Sequence, residues 1–176
     1  QLLSIFKPKP SYCNTSIITP QVFIKNRGLE TITSAKISYT INGNDTVIVN
    51  WLGNLASGEI DSIIFPQITL TQGVNQIFTA IASSPNGETD ENIINNNLSL
   101  DFSVYGNFVA PFSEDFESAS FPPNCWSQEY TEGYVDWDVY EGGYLNNPTQ
   151  SYSGNYNAFL FDDSFSSKKT KLIKVK

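Results

Sequence analysis

The sequence runs to 176 residues, with 18 acidic, 10 basic and no histidine, for a formal net charge of −8, and 40% of its residues are hydrophobic. That apolar content suffices for a packed core, and the length allows one large or two small domains. The lack of histidine excludes His-based triads and HExxH zinc sites, and two cysteines exclude four-cysteine metal centres. An acidic chain also lacks the Lys and Arg that attract nucleic-acid phosphates. The sequence therefore reads as non-enzymatic, with no nucleic-acid partner and a function in binding or architecture.

Short strands dominate the first part of the chain. Val22 and Ile24 alternate with Phe23 and Lys25 after Pro20. Ile37, Tyr39 and Ile41 alternate with Lys36, Ser38 and Thr40, up to a turn at Asn42-Gly43-Asn44-Asp45. Val47 to Trp51 follows and closes at Gly53-Asn54, and Ile60 to Phe65 ends at Pro66. Ile77 to Ala82 ends at Ser84-Pro85-Asn86-Gly87, and Leu98, Leu100, Phe102 and Val104 share one face. Period-two alternation punctuated by Asn-Gly turns predicts an antiparallel β-sandwich of immunoglobulin type, because Asn and Gly tolerate the positive φ of tight turns.

Charge then changes along the chain. Residues 111–163 carry 10 acidic residues and no basic one, and the last 13 residues add five lysines. Gly106 to Pro111 interrupts the apolar pattern. The expected division is 1–105 as a sandwich, 106–111 as a linker and 112–176 as a second β-segment. No apolar run reaches the roughly 18 residues of a membrane span, and the absence of methionine fits a processed product or a piece of something longer. Cys13 and Cys125, far apart in sequence, leave open whether they are free or paired.

The run Tyr12-Cys13, Ile18-Thr19-Pro20, Val22 to Asn26 and Gly28 is followed by "ISYTING", "WLGNLASGE" and "NGETDENIINN". Together these resemble the CARDB-type immunoglobulin-like modules of secreted bacterial proteins. The most specific piece is Asp90-Glu91-Asn92 with Asn95-Asn96-Asn97. Such modules sit in flavobacterial surface proteins and beside the catalytic domains of pappalysin-like metallopeptidases. The second segment, with "EDFES", "FPPNCWSQE", "DWDVYEGG" and "SGNYNAFLF", is similar to the start of a MAM-like or cleaved-adhesin-like jelly roll. That resemblance implies a first strand at Phe116-Glu117, a Cys-Trp pair at Cys125-Trp126 and an Asp-Trp pair at Asp136-Trp137. A whole jelly roll needs about 150 residues, so the segment is expected to be partial. The cysteine that MAM domains place just before the Phe-Glu pair is missing.

Several chemistries are open to these residues. Calcium takes six to eight oxygen ligands, and Asp115 and Glu117, with Asp162 and Asp163 opposite, are the candidate carboxylates; the competing reading is a solvated acidic face. Tyr130, Tyr134, Tyr140, Tyr144, Tyr152 and Tyr156 offer flat rings for a sugar, whereas Trp126 and Trp137 are expected in the core. Carboxylate pairs of glycosidase type are disfavoured, since nothing in the spacing establishes a cleft. Asp45-Thr46-Val47 and Asp61-Ser62-Ile63 resemble the O-glycosylation motif of exported Bacteroidetes proteins, which makes Thr46 and Ser62 the candidate glycan acceptors. Three Asn-x-Ser/Thr sequons, at Asn14, Asn44 and Asn97, matter only in a eukaryotic secretory host.

The expectation is an all-β chain: an immunoglobulin-like sandwich followed by a partial jelly roll. It implies a non-catalytic adhesion or ligand-binding accessory region of a secreted, multidomain surface protein. Its partners would be an extracellular glycan, a protein ligand or neighbouring domains of the same polypeptide. The alternative is an accessory C-terminal region of a secreted zinc metallopeptidase whose catalytic domain lies outside these residues.

Overall fold

A computed structural model describes residues 1–14, 16–90, 92–106, 113–118, 120–142, 149–160 and 168–174. It divides into two units, Gln1–Gly106 and Asn107–Lys176. Strands account for nearly all the regular structure, and no helix of the described residues is long and apolar enough to cross a membrane.

In the first unit, alternation builds two facing sheets. β1 (Leu2–Lys7), β4 (Gln21–Lys25) and β7 (Ile60–Ile64) form a three-stranded antiparallel sheet in the order β1-β4-β7. The facing sheet runs β2-β10-β9-β5-β6, from β2 (Ser11–Cys13), β5 (Ile32–Ile41), β6 (Val47–Leu55), β9 (Gly73–Ser83) and β10 (Asn97–Tyr105). A short pair, β3 (Ile17–Ile18) with β8 (Ile68–Thr69), flanks them. The first strand is thus split between sheets. β1 pairs with β4, the chain leaves the ladder across Pro8 and Pro10, which lack donors, and β2 then runs parallel to β10. Spatial order and the split first strand make this an immunoglobulin-like sandwich.

The core follows the predicted faces. Val22 and Ile24 of β4 and Ile63 of β7 meet Ile37 and Tyr39 of β5, Phe78 and Ala80 of β9, and Phe102 and Val104 of β10. Tyr39 stacks on Phe78 at 4.7 Å between ring centroids and meets Phe65 edge-on at 4.8 Å. Both spacings lie in the range where aromatic pairs add about 0.5–1.5 kcal/mol beyond burial. At the β5–β6 hairpin, Asn42 and Gly43 take φ of 55° and 71°, as the Asn-Gly signal requires. The Asn42 side chain also accepts the Ile77 N–H at 2.8 Å, tying the turn to β9.

Some strands and strand bounds differ from expectation. β1 is apolar without clean alternation, so its identity comes from pairing with β4. β6 continues through Gly53-Asn54 to Leu55, because a bulge there sets two residues against Thr33 and the ladder resumes at Ile32 and Leu55. β9 starts at Gly73, four residues before Ile77.

In the second unit, β11 (Trp126–Glu132) pairs with β14 (Lys169–Lys174), and β12 (Trp137–Glu141) pairs with β13 (Tyr156–Leu160). The Gln128 side chain joins the pairs, donating to the Trp137 carbonyl at 2.9 Å and accepting its N–H at 2.6 Å. Trp137 Nε1 donates to the Thr170 carbonyl at 3.0 Å. Phe116 and Glu117 lie outside every strand, with Phe116 at φ 60°, which corrects the first-strand placement that the jelly-roll resemblance implied. Local carboxylates explain this. Glu114 and Asp115 accept the N–H groups of Phe116 and Glu117, two residues on, and so replace ladder bonds with turn bonds.

Candidate functional site

One end of the sandwich opens into a cleft of about 540 Å³. Its walls are residues 26–30 of the connection between β4 and β5, and Pro85, Asn86, Glu88, Asp90, Asn92 and Asn95 of the connection between β9 and β10. Ile24, Ile32, Ile37 and Leu55 supply an apolar floor, and Glu30 and Asp90 stand among the polar groups of the rim.

Asn26 sets the first wall. It is 1% exposed, and its side-chain amide donates to the carbonyls of Glu30 at 2.7 Å and Leu55 at 2.9 Å. Its Oδ1 accepts the Gly28 N–H at 2.9 Å. One buried side chain thus closes the 26–30 turn on itself and fastens it to the end of β6. Leu29, at the tip of that turn, is 92% exposed.

Asn86 sets the second wall. It holds φ 52° beside Gly87 at φ 83°, and its Oδ1 accepts the Thr33 N–H at 2.7 Å while its Nδ2 donates to the Thr31 carbonyl at 2.9 Å. Beyond it, the Asp90 carboxylate accepts the Asn92 N–H at 2.9 Å. Asn96, 6% exposed, carries a side-chain oxygen with no hydrogen-bond partner among the described residues, while its carbonyl accepts the Ala82 N–H at 2.8 Å. The Asn-rich acidic stretch thus contributes Asn92 and Asn95 to the cleft lining. That Asn26 organises the site was not legible, since its signal is an unremarkable Asn-x-Gly.

The expected carboxylates fare as follows. Asp115 accepts the Glu117 N–H at 3.1 Å. Glu117 Oε1 accepts the N–H groups of Asn155 at 2.9 Å and Tyr156 at 2.8 Å, which pins the turn before β13. Asp162 and Asp163 lie outside the described residues, as does Tyr144. Among the described residues, no three His, Cys, Asp or Glu side chains come close enough to hold a metal ion.

Trp126 and Trp137 are half-buried rather than fully enclosed, and Tyr130, Tyr134, Tyr140, Tyr152 and Tyr156 are exposed. Tyr130 and Tyr134 stand 5.1 Å apart between ring centroids. Donation of the Tyr130 hydroxyl to Asp136 keeps that phenol protonated above its ordinary range. Thr46 is exposed in the β5–β6 turn. Ser62 is half-buried on β7, and its neighbour Asp61 is engaged by Trp51 Nε1 at 2.8 Å. Neither Cys13 nor Cys125 is a free thiol.

No family model matches the sequence, and no curated protein matches it. Solved structures resemble part of it. The CARDB domain of the PF1109 protein from Pyrococcus furiosus, in complex with di-metal ions, is 26% identical and aligns over 54% of this chain and 79% of that one at a TM-score of 0.44. The solution structure of the same domain is 26% identical over 56% and 89%, at a TM-score of 0.46.

Proposed function

We propose that this chain is a non-catalytic adhesion or ligand-binding accessory region of a secreted, multidomain bacterial surface protein. In this reading the first unit is a CARDB-type immunoglobulin-like module and the second is part of a MAM-like jelly roll. The supporting observation is the end cleft: an apolar floor with a polar rim, built by two connections that a rigid sandwich holds in place. Rims of that kind suit an extracellular glycan or an extended protein segment, with Leu29 as the apolar contact and the Glu30 and Asp90 region as the polar one.

In the second unit, calcium held by Asp115, Glu117, Asp162 and Asp163 would relieve the repulsion among the ten carboxylates of 111–163. The support there is composition alone. Glycan attachment at Thr46 and Ser62 belongs to the same extracellular reading, and Thr46 is the more accessible of the two.

The test is a binding screen of the whole chain against a glycan array and a peptide library, followed by Leu29→Asp and Asp90→Lys. Loss of the captured ligand in both variants supports the reading. Binding unchanged in both would reject the cleft as its site.

A further inference from the structure

We propose that the chain pairs with a second copy of itself through the free edge of β6, joining two five-stranded sheets into one continuous antiparallel sheet. Among the described residues β6 forms a ladder only with β5, so half of its backbone N–H and C=O groups face away from the sheet. An edge of this kind is a template for another strand unless charge, proline or brevity blunts it.

The other edges of the two sheets are blunted. β2 is three residues long, β1 ends on Lys7, and β7 is five residues long and carries Asp61. β6 has nine residues, Val47–Leu55, with no charged residue and no proline. The bulge at Gly53-Asn54 ends its regular stretch, leaving Val47 to Leu52 straight and open.

The occupant follows from the sequence of that stretch. A twofold axis normal to the sheet keeps outward side chains opposite outward ones, so only registers that pair like-facing residues are allowed. Ile48, Asn50 and Leu52 all face outward and are exposed, Ile48 at 52% and Leu52 at 79%. With the axis at Asn50, Asn50 meets its own copy and each Ile48 meets the other chain's Leu52. The row therefore reads apolar, amide, apolar on both strands, with the two amides able to hydrogen-bond each other.

Chemistry at the flanks agrees. Ile48 and Leu52 lie beside Ser38 and Ser34 of β5, so no charge opposes an apolar pair, and Ile81 of β9 extends the Ile48 row beyond Ser38. In a chain of net charge −8, a partner chosen by charge finds nothing to recognise on this edge. An identical strand finds both the backbone bonds and matched side chains.

The test is sedimentation velocity of the whole chain from micromolar to submillimolar concentration. The wild-type chain should show a concentration-dependent dimer. Ile48→Lys and Leu52→Glu should each raise the dimer dissociation constant about tenfold, since each removes two cross-strand apolar pairs at once. The double variant I48K/L52E should recover association, because the ammonium introduced at position 48 would then face the carboxylate introduced at position 52 of the other copy, at both places. Both side chains are exposed, so circular dichroism, and the thermal midpoint at a concentration where every form is monomeric, should match the wild type. A wild-type chain that stays monomeric at every concentration overturns the proposal. So does a dimer indifferent to both single changes, or a double variant as weak as either single one.

Discussion

Replacing Asn26 by alanine tests whether one buried amide organises the cleft. Three hydrogen bonds of 2.7 to 2.9 Å would vanish, leaving the Glu30 and Leu55 carbonyls and the Gly28 N–H without their partner. Each such bond contributes about 1 kcal/mol net, and a stranded buried group costs about 1–3 kcal/mol. The Glu30 and Gly28 ends lie near the open cleft, where water replaces part of the loss, so the expected destabilisation is about 2–4 kcal/mol. Urea unfolding followed by tryptophan fluorescence should show a lower midpoint at an unchanged slope. Asn26→Asp adds a second reading of the same contact. It keeps the acceptor for Gly28 but turns an oxygen toward two carbonyls, so it should be worse at neutral pH than below about pH 4, where a protonated carboxyl regains one donor. A midpoint change equivalent to less than about 0.5 kcal/mol for Asn26→Ala would be an ordinary surface effect and would refute the reasoning.

Gly154→Ala should destabilise the second unit by about 1–3 kcal/mol, read as a fall in its thermal midpoint. Gly154 sits at φ 68°, and an added Cβ would fall 2.5 Å from the Glu117 carboxyl that pins the turn. Millimolar calcium should raise the melting temperature over that in EDTA, by up to about 2.7 kcal/mol of stabilisation at 100-fold saturation; identical melting curves would remove calcium from the second unit. Burial pushes the Tyr39 phenol above its usual range, so the fold keeps a proton that the unfolded chain releases near pH 10. Stability should therefore fall as pH rises above about 10, and Tyr39→Phe should flatten that limb in urea titrations at stepped pH.

Strand faces were legible wherever hydrophobic alternation met a turn residue. Val22 and Ile24, Ile37 and Tyr39, and Phe102 and Val104 all point inward as their spacing requires. The Asn42-Gly43 hairpin was legible for the same local reason, because positive φ is a property of those two residues themselves. β1, β2, β3 and β8 were not, since strands of two to six residues without alternation exist only through their partners. The passage of β6 through Gly53-Asn54 was hidden too, because a bulge is defined by the strand opposite.

The sequence by itself determined the all-β class, the acidity of the second segment and the impossibility of histidine chemistry, because composition and period-two patterning act locally on the chain. Only the tertiary structure decided that Asn26 and Asn86 stand on opposite walls of one cleft, that Glu117 holds a turn 38 residues away, and that β6 is an edge strand among the described residues. Those facts depend on which distant backbone groups find each other, and a residue's own propensity carries no record of its partner.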